Sequence, residues 1–290
     1  MATLLDYFPS GLTIVLFVAI GLDLTVADFQ RIRSAPALVI TGLLAPLLVL
    51  PPLAIALAAL PGVPPDARLG LLLIAVSPVG GFSTIYSYLA NASPALSVAL
   101  TTLSGLASPL TIPLVSAIVV AAMPEPIGLT APTITIARFI VTAVVGPMLI
   151  GMWLRNRRPD LAAHYRPLLG KLTLVGVIVL TGLIIAADPA SFFRALADAS
   201  LVVTLFVVAS FAAGWMAGRA VGAAPRDQFT LAAEFTARNA GVAMAIALAV
   251  LDRFDLARFA ILYVVLEAPF MLIASALFRR SQKAGSSITT

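Results

Sequence analysis

The sequence predicts an all-α polytopic membrane protein with nine transmembrane helices, two of them discontinuous and crossed within an inverted repeat. Three observations predict it. Hydrophobic residues make up 61% of the 290 positions and charged residues 11%, where a soluble domain carries about 25% charged residues. Apolar runs of about 18–28 residues, long enough to span a bilayer, alternate with polar or Pro/Gly breaks. Finally, "PPDARLGLLLIAVSPVGG" (64–81) and "APRDQFTLAAEFTARNAG" (224–241) both open with a short Pro/Asp loop and run on into helix-breaking or polar residues. Counted along the spans, these two stretches start from opposite sides of the membrane, which is the signature of an inverted-topology repeat.

The spans fall near 10–27, 36–60, 68–90, 95–122, 134–154, 170–187, 199–218, 227–250 and 257–278. The first has no Lys or Arg before Arg31, so it lacks the positive start of a cleaved signal peptide and is expected to be retained. Asp23, in "IGLDLTV", is an acid at its end and fits an interfacial position. Pro46 and Pro51 in the second span, and Pro109 and Pro113 in the fourth, offer places to tilt or kink.

The third span carries "SPVGGFSTIYSYLA" (77–90). Pro78 removes a backbone donor, and Gly80–Gly81 free the chain to leave helical geometry. This reads either as a proline kink with glycines for close helix contact, or as an unwound segment lining a cavity. The eighth span holds the matching interruption, "AAEFTARNAGVAMAIA" (232–247), with Glu234 and Arg238 at bilayer depth. Each charge costs at least ~2.5–3.5 kcal/mol there, so each needs a partner, water or a role. In a repeat of this kind the two interruptions meet near the midplane with their inner N-termini towards a substrate.

The fourth span adds Ser97, Thr101, Thr102 and Ser104, with Ser97 and Thr101 on one face. Such hydroxyls serve as interhelical bonds or back-bond to their own helix. Alternatively, Ser83, Thr84, Ser97 and Thr101 surround the Glu234 carboxylate as oxygen ligands for a hard cation.

Charge sets the orientation. Arg31, Arg33, Arg155, Arg157, Arg158, Arg166, Lys171, Arg219, Arg226, Arg279, Arg280 and Lys283 fall on the side of the C-terminal tail, against Arg68, Arg194, Arg253 and Arg258 opposite. The excess marks the cytoplasmic side, placing the N-terminus outside and the C-terminus inside. This topology accounts for a pI near 10.1, and no basic folded face for nucleic acid is expected. The chain has no cysteine, and its one histidine, His164, falls in an expected basic loop. Thiolate chemistry, a zinc motif and a His-based triad are therefore excluded, which leaves little for an intramembrane enzyme. A channel is the other class to separate from a carrier, and counterflow exchange separates them.

Proline, a glycine pair and a hydroxyl pair lead into "SYLANASPALSVALTTLSGLASPL" (87–110), and "EFTARNAG" follows in the eighth span. In these features the chain resembles the bile acid:sodium symporter family, bacterial-type, from "IGLDLTVADF" (20–29) to the last span. The resemblance implies a panel domain of spans 1, 5 and 6 (10–27 and 134–187), a core domain of spans 2–4 and 7–9 (36–122 and 199–278), and a cytoplasmic tail (279–290). A tenth, N-terminal helix found in some members is not expected, since the chain begins too late for it. The first sodium site of the family falls on Ser83, Thr84, Ser97, Thr101 and Glu234, with Thr84 in place of an amide. At the second site both glutamine ligands are replaced, by Arg238 and by Pro46. The Phe235 and Ala237 carbonyls remain, but a guanidinium beside them repels a second sodium.

The resemblance thus implies a sodium-coupled carrier of a small organic anion with one sodium site, multi-pass in the cell (inner) membrane and favoured as a monomer. Gly80, Gly81, Asn239 and Ala240 would offer half-helix amides to the anion. Glu267, in "VVLEAPFML", lies where members place a polar residue near the substrate, or serves as a structural partner of Arg238. The rival within this class is a proton-coupled or uncoupled carrier, with Arg238 as a built-in cation and Glu267 as the titrating group.

Overall fold

The computed structural model describes residues 2–23, 36–122, 138 and 140–286. Its elements are helical: α1 (Ala2–Asp23), α2 (Pro36–Ala58), α3 (Pro65–Val76), α4 (Phe82–Leu89), α5 (Pro94–Ala122), a π-helical turn (Ile140–Val145), α6 (Gly146–Arg157), α7 (Pro159–Ala187), α8 (Pro189–Ala220), α9 (Pro225–Thr236), α10 (Ala240–Ala249) and α11 (Phe254–Ser286). Four of them, Pro36–Ala58, Pro159–Ala187, Pro189–Ala220 and Phe254–Gln282, are long and apolar enough to cross a membrane. Arg31 and Arg33 lie outside the described residues, as do the ends of the expected panel segments at 24–27 and 134–137 and the end of the tail from 287. Of Asp23 only its place at the end of α1 is described.

Prolines punctuate the chain. Six helices begin on one (Pro36, Pro65, Pro94, Pro159, Pro189 and Pro225). A proline's missing N–H is harmless in the first turn and its fixed φ suits a helix. The interior prolines of α2, Pro46, Pro51 and Pro52, leave that helix continuous from end to end. Two segments expected as loops are helical. Residues 159–169, with His164, form the first turns of α7, and 189–198 form those of α8, capped where Ser191 N–H donates to Asp188 Oδ1 at 3.0 Å. His164 is therefore a helix residue, because Pro159 starts a new helix with only Arg158 between it and the end of α6.

The helices α1, α6 and α7 lie against one another, and α1 also touches α10. The remaining helices form a second group, in which α9 lies along α8 and α3 along α2. Gly214 and Gly218 make the α8–α9 contact possible: a Cβ at Gly214 would fall 2.7 Å from Ala232 Cα, and one at Gly218 would fall 3.0 Å from Gln228 Cα. Small residues four apart let helix backbones approach in this way.

The helices α3 and α9 are built alike. Each has 12 residues, starts on proline and carries an aspartate in its first turn, Asp66 or Asp227. Each follows a tight turn with a left-handed glycine, Gly62 (φ 82) or Gly222 (φ 69), where a side chain would be strained. Every residue from Leu69 to Gly80 and from Phe229 to Arg238 is buried. A helix enclosed on all sides belongs to a protein interior rather than a lipid-facing surface.

Candidate functional site

Both buried half-helices stop abruptly. Ser77 caps α3 in extended geometry, and the chain runs through Pro78, Val79, Gly80 and Gly81 before α4 begins at Phe82. Likewise α9 ends at Thr236, and Ala237, Arg238 and Asn239 separate it from α10. An unwound segment at this depth leaves backbone groups to satisfy. The two breaks satisfy each other through an antiparallel bridge between Val79 and Arg238. Gly80 N–H donates to the Ala237 carbonyl at 2.7 Å, and Asn239 N–H donates to the Pro78 carbonyl at 2.8 Å. A Cβ at Gly80 would fall 2.9 Å from the Arg238 carbonyl oxygen, so glycine there sets how closely the breaks meet. Two further bonds hold the crossing: Val79 N–H donates to Ser104 Oγ at 3.0 Å, and the Tyr263 hydroxyl donates to the Thr236 carbonyl at 2.5 Å.

Beside the bridge lies the hydroxyl cluster read from the sequence. Glu234 is fully buried in the last turn of α9. Its Oε1 accepts from Ser97 Oγ, and its Oε2 accepts from Thr101 Oγ1 at 3.4 Å. Ser83 Oγ lies 3.2 Å from Ser97 Oγ and 3.1 Å from Thr101 Oγ1, while Thr84 Oγ1 lies 3.0 Å from Ser97 Oγ. Thus α4, α5 and α9 bring Ser83, Thr84, Ser97, Thr101 and Glu234 into one network. Hydroxyls donate as well as accept, so the same oxygens that now bond one another can turn lone pairs towards a cation. Hard cations take oxygen ligands, and this donor set is all oxygen with one carboxylate. It fits a monovalent cation.

Arg238 is 4% exposed, and its guanidinium points into the junction. Glu267 is its expected carboxylate partner and Glu234 lies one turn upstream, but the structure pairs it with neither carboxylate. It donates instead to the main-chain carbonyls of Ser77 and Glu234, through Nη2 and through Nη1 at 3.3 Å, and its Nε has no partner. The reason is local. Both α3 and α9 end here, each leaving carbonyls without intrahelical donors at the negative end of a helix dipole. The guanidinium caps both ends, while Glu234 turns its carboxylate to the hydroxyls.

The four residues read as anion donors do sit at half-helix N-termini, but most of their amides are occupied. Gly80 and Asn239 bond across the bridge, Ala240 N–H donates to the Arg238 carbonyl at 3.0 Å, and Gly81 is the exposed member. Asn239 also caps α10, its Oδ1 accepting from Val242 N–H at 3.1 Å. Glu267 is 2% exposed in α11, and its Oε2 accepts from the Tyr86 hydroxyl at 3.3 Å.

The residues missed from the sequence are Ser77, Tyr263 and the pairing role of Ser104. Ser104 had a signal, since Ser97, Thr101 and Ser104 follow the helical spacing of one face. Tyr263 stands in apolar context and had none.

Comparison with known proteins places most of the chain beside sodium-dependent transporters. The family model described as the sodium bile acid symporter family matches residues 10–195. That stretch contains the first break and the α4–α5 hydroxyls and ends before Glu234, Arg238 and Glu267. Over longer alignments the chain is 25% identical to an uncharacterized sodium-dependent transporter of Bacillus subtilis, YocS, covering 84% of this chain and 74% of that protein. It is 24% identical to a probable chloroplastic sodium/metabolite cotransporter of Arabidopsis thaliana, BASS1, over 82% of this chain and 58% of the relative. A rice counterpart named BASS2 is 28% identical over 72% of this chain and 49% of its own length. The chain thus spans about half the length of these plant relatives.

Proposed function

The chain belongs to the sodium bile acid symporter family, and from that premise we propose that it is a secondary transporter coupling uptake of a small organic anion to sodium. The observation that carries the reading is Glu234: a fully buried carboxylate met by the Ser97 and Thr101 hydroxyls, while the nearby Arg238 guanidinium bonds main-chain carbonyls instead of it. A buried carboxylate with no direct ion pair is costly, and a sodium ion among these oxygens supplies a counter-charge in contact with it. Ser83, Thr84, Ser97, Thr101 and Glu234 hold the ion, beside half-helix ends of the kind that bind ions in carriers.

Arg238 takes the place of a second sodium. Its guanidinium already meets the Ser77 and Glu234 carbonyls and cannot lose its proton, so at most one sodium is coupled per cycle. The anion binds near Gly80, Gly81, Asn239 and Ala240, with Gly81 free to donate and Arg238 supplying nearby positive potential. The matched design of α3 and α9 and their paired breaks support nine spans in an inverted repeat, with a panel of α1, α6 and α7 and a core of the other helices. The N-terminus is outside, the C-terminus cytoplasmic, and the working unit a monomer in the cell membrane.

The test is thermal unfolding of purified protein in sodium against potassium. Sodium is expected to raise the midpoint of the wild type and leave Glu234→Ala unmoved. An equal response from both proteins sinks the site assignment.

A further inference from the structure

Glu267 is the buried carboxyl that the sodium site leaves unused. It sits in α11 at 2% exposure; Oε2 accepts from the Tyr86 hydroxyl at 3.3 Å, and Oε1 is buried without any partner. Among the described residues, no cation bonds to it. From α4 comes Tyr86, and on α11 itself Tyr263 gives its hydroxyl to the Thr236 carbonyl, while Asp255, Arg258, Arg279, Arg280 and Lys283 stand towards the helix ends, two turns or more from Glu267 in sequence. Arg238, in the break after α9, is held by the Ser77 and Glu234 carbonyls. Within α9, the Glu234 carboxylate is engaged by Ser97, Asp227 accepts from Ser93 Oγ at 2.6 Å, and Arg226 Nε donates to Gln282 Oε1 at 3.0 Å. The helix α10 carries no ionisable side chain. Those of α3 and α8 stand towards the helix ends (Asp66, Arg68, Arg194, Asp198 and Arg219), and those of α7 all precede Leu172.

An ionised carboxylate so enclosed has neither a counter-ion nor a full set of hydrogen bonds, which is costly in a medium without water. A proton on Oε1 cancels the charge and leaves Oε2 accepting from Tyr86. A carboxylate is also a poor contact for an anionic substrate, because like charges repel.

Resting on the carrier reading, we propose that Glu267 is a proton-binding site of this protein. It takes its proton from solvent when water reaches the α4–α11 contact and holds it while the contact is closed. Proton uptake at Glu267 is separate from cation binding at Glu234, since the two carboxyls share no hydrogen-bond partner: Glu234 accepts from Ser97 and Thr101, and Glu267 from Tyr86.

Infrared difference spectroscopy of the reconstituted full chain during a pH titration, in potassium and without substrate, reads this directly. A protonated-carboxyl band that disappears on raising the pH is expected in the wild type and in Glu234→Gln, and is expected to be missing from Glu267→Gln. Carboxyl bands that are the same in Glu267→Gln as in the wild type overturn the proposal. Tyr86→Phe keeps the carboxyl and removes its donor, so its band is expected to persist at a shifted frequency; an unshifted band also overturns it, whatever the fate of Glu267→Gln. The sodium reading is judged apart, by thermal unfolding. Sodium stabilisation is expected to survive in Glu267→Gln, and its absence from the wild type would refute the sodium site while leaving the infrared result to stand.

Discussion

Gly80→Ala tests the paired breaks, because the structure places its added methyl against main chain. The new Cβ would fall 2.9 Å from the Arg238 carbonyl oxygen, 3.1 Å from its carbon and 3.3 Å from the Ala237 carbonyl oxygen. No side-chain rotation relieves contacts with backbone, so the two breaks must separate. Overpacking of this kind costs about 1–3 kcal/mol. The bridge bonds at 2.7 and 2.8 Å stretch with it, at about 1 kcal/mol each. A loss of roughly 3–5 kcal/mol follows from these two contributions. Gly81→Ala is the control: it lies at φ −62, ψ −15, and a Cβ there meets nothing within 4 Å. Denaturant unfolding of both variants in detergent, followed by tryptophan fluorescence, measures the difference. Equal stability of the two variants would mean that the breaks do not touch as described.

Two further substitutions address the same junction. Arg238→Gln removes the guanidinium that caps α3 and α9; each hydrogen bond from a charged group is worth about 1.5–3 kcal/mol, so stability in potassium is expected to fall. The vacated carbonyls are then expected to take a second cation, turning the sodium dependence of thermal stability from hyperbolic to sigmoidal; a hyperbolic curve contradicts the substitution of ion by arginine. Tyr263→Phe deletes the hydroxyl that bonds the Thr236 carbonyl and is expected to cost about 1–3 kcal/mol. An unchanged unfolding midpoint would show that this carbonyl has another donor.

The breaks were legible in the sequence because proline, paired glycines and intramembrane charge each disfavour a continuous apolar helix. The hydroxyl cluster was legible because residues four apart share a helix face, and Glu234 was the buried acid available to them. What could not be read was the register of the bridge, which depends on how closely two segments far apart in sequence approach, and hence on Gly80. The partners of Arg238 were misread for a related reason. Sequence pairs opposite charges by proximity along the chain, whereas the guanidinium found the carbonyls that two converging helix ends leave unsatisfied. The helical starts at Pro159 and Pro189 read as loops in the sequence because their polar composition masks the proline start signal.

Equilibrium binding of radiolabelled sodium to the purified protein tests the central claim most directly, since it needs no knowledge of the substrate. One sodium per chain is expected for the wild type, displaced by unlabelled sodium but not by potassium, and none for Glu234→Ala. Two sodium ions per wild-type chain, or undiminished binding in Glu234→Ala, would contradict it.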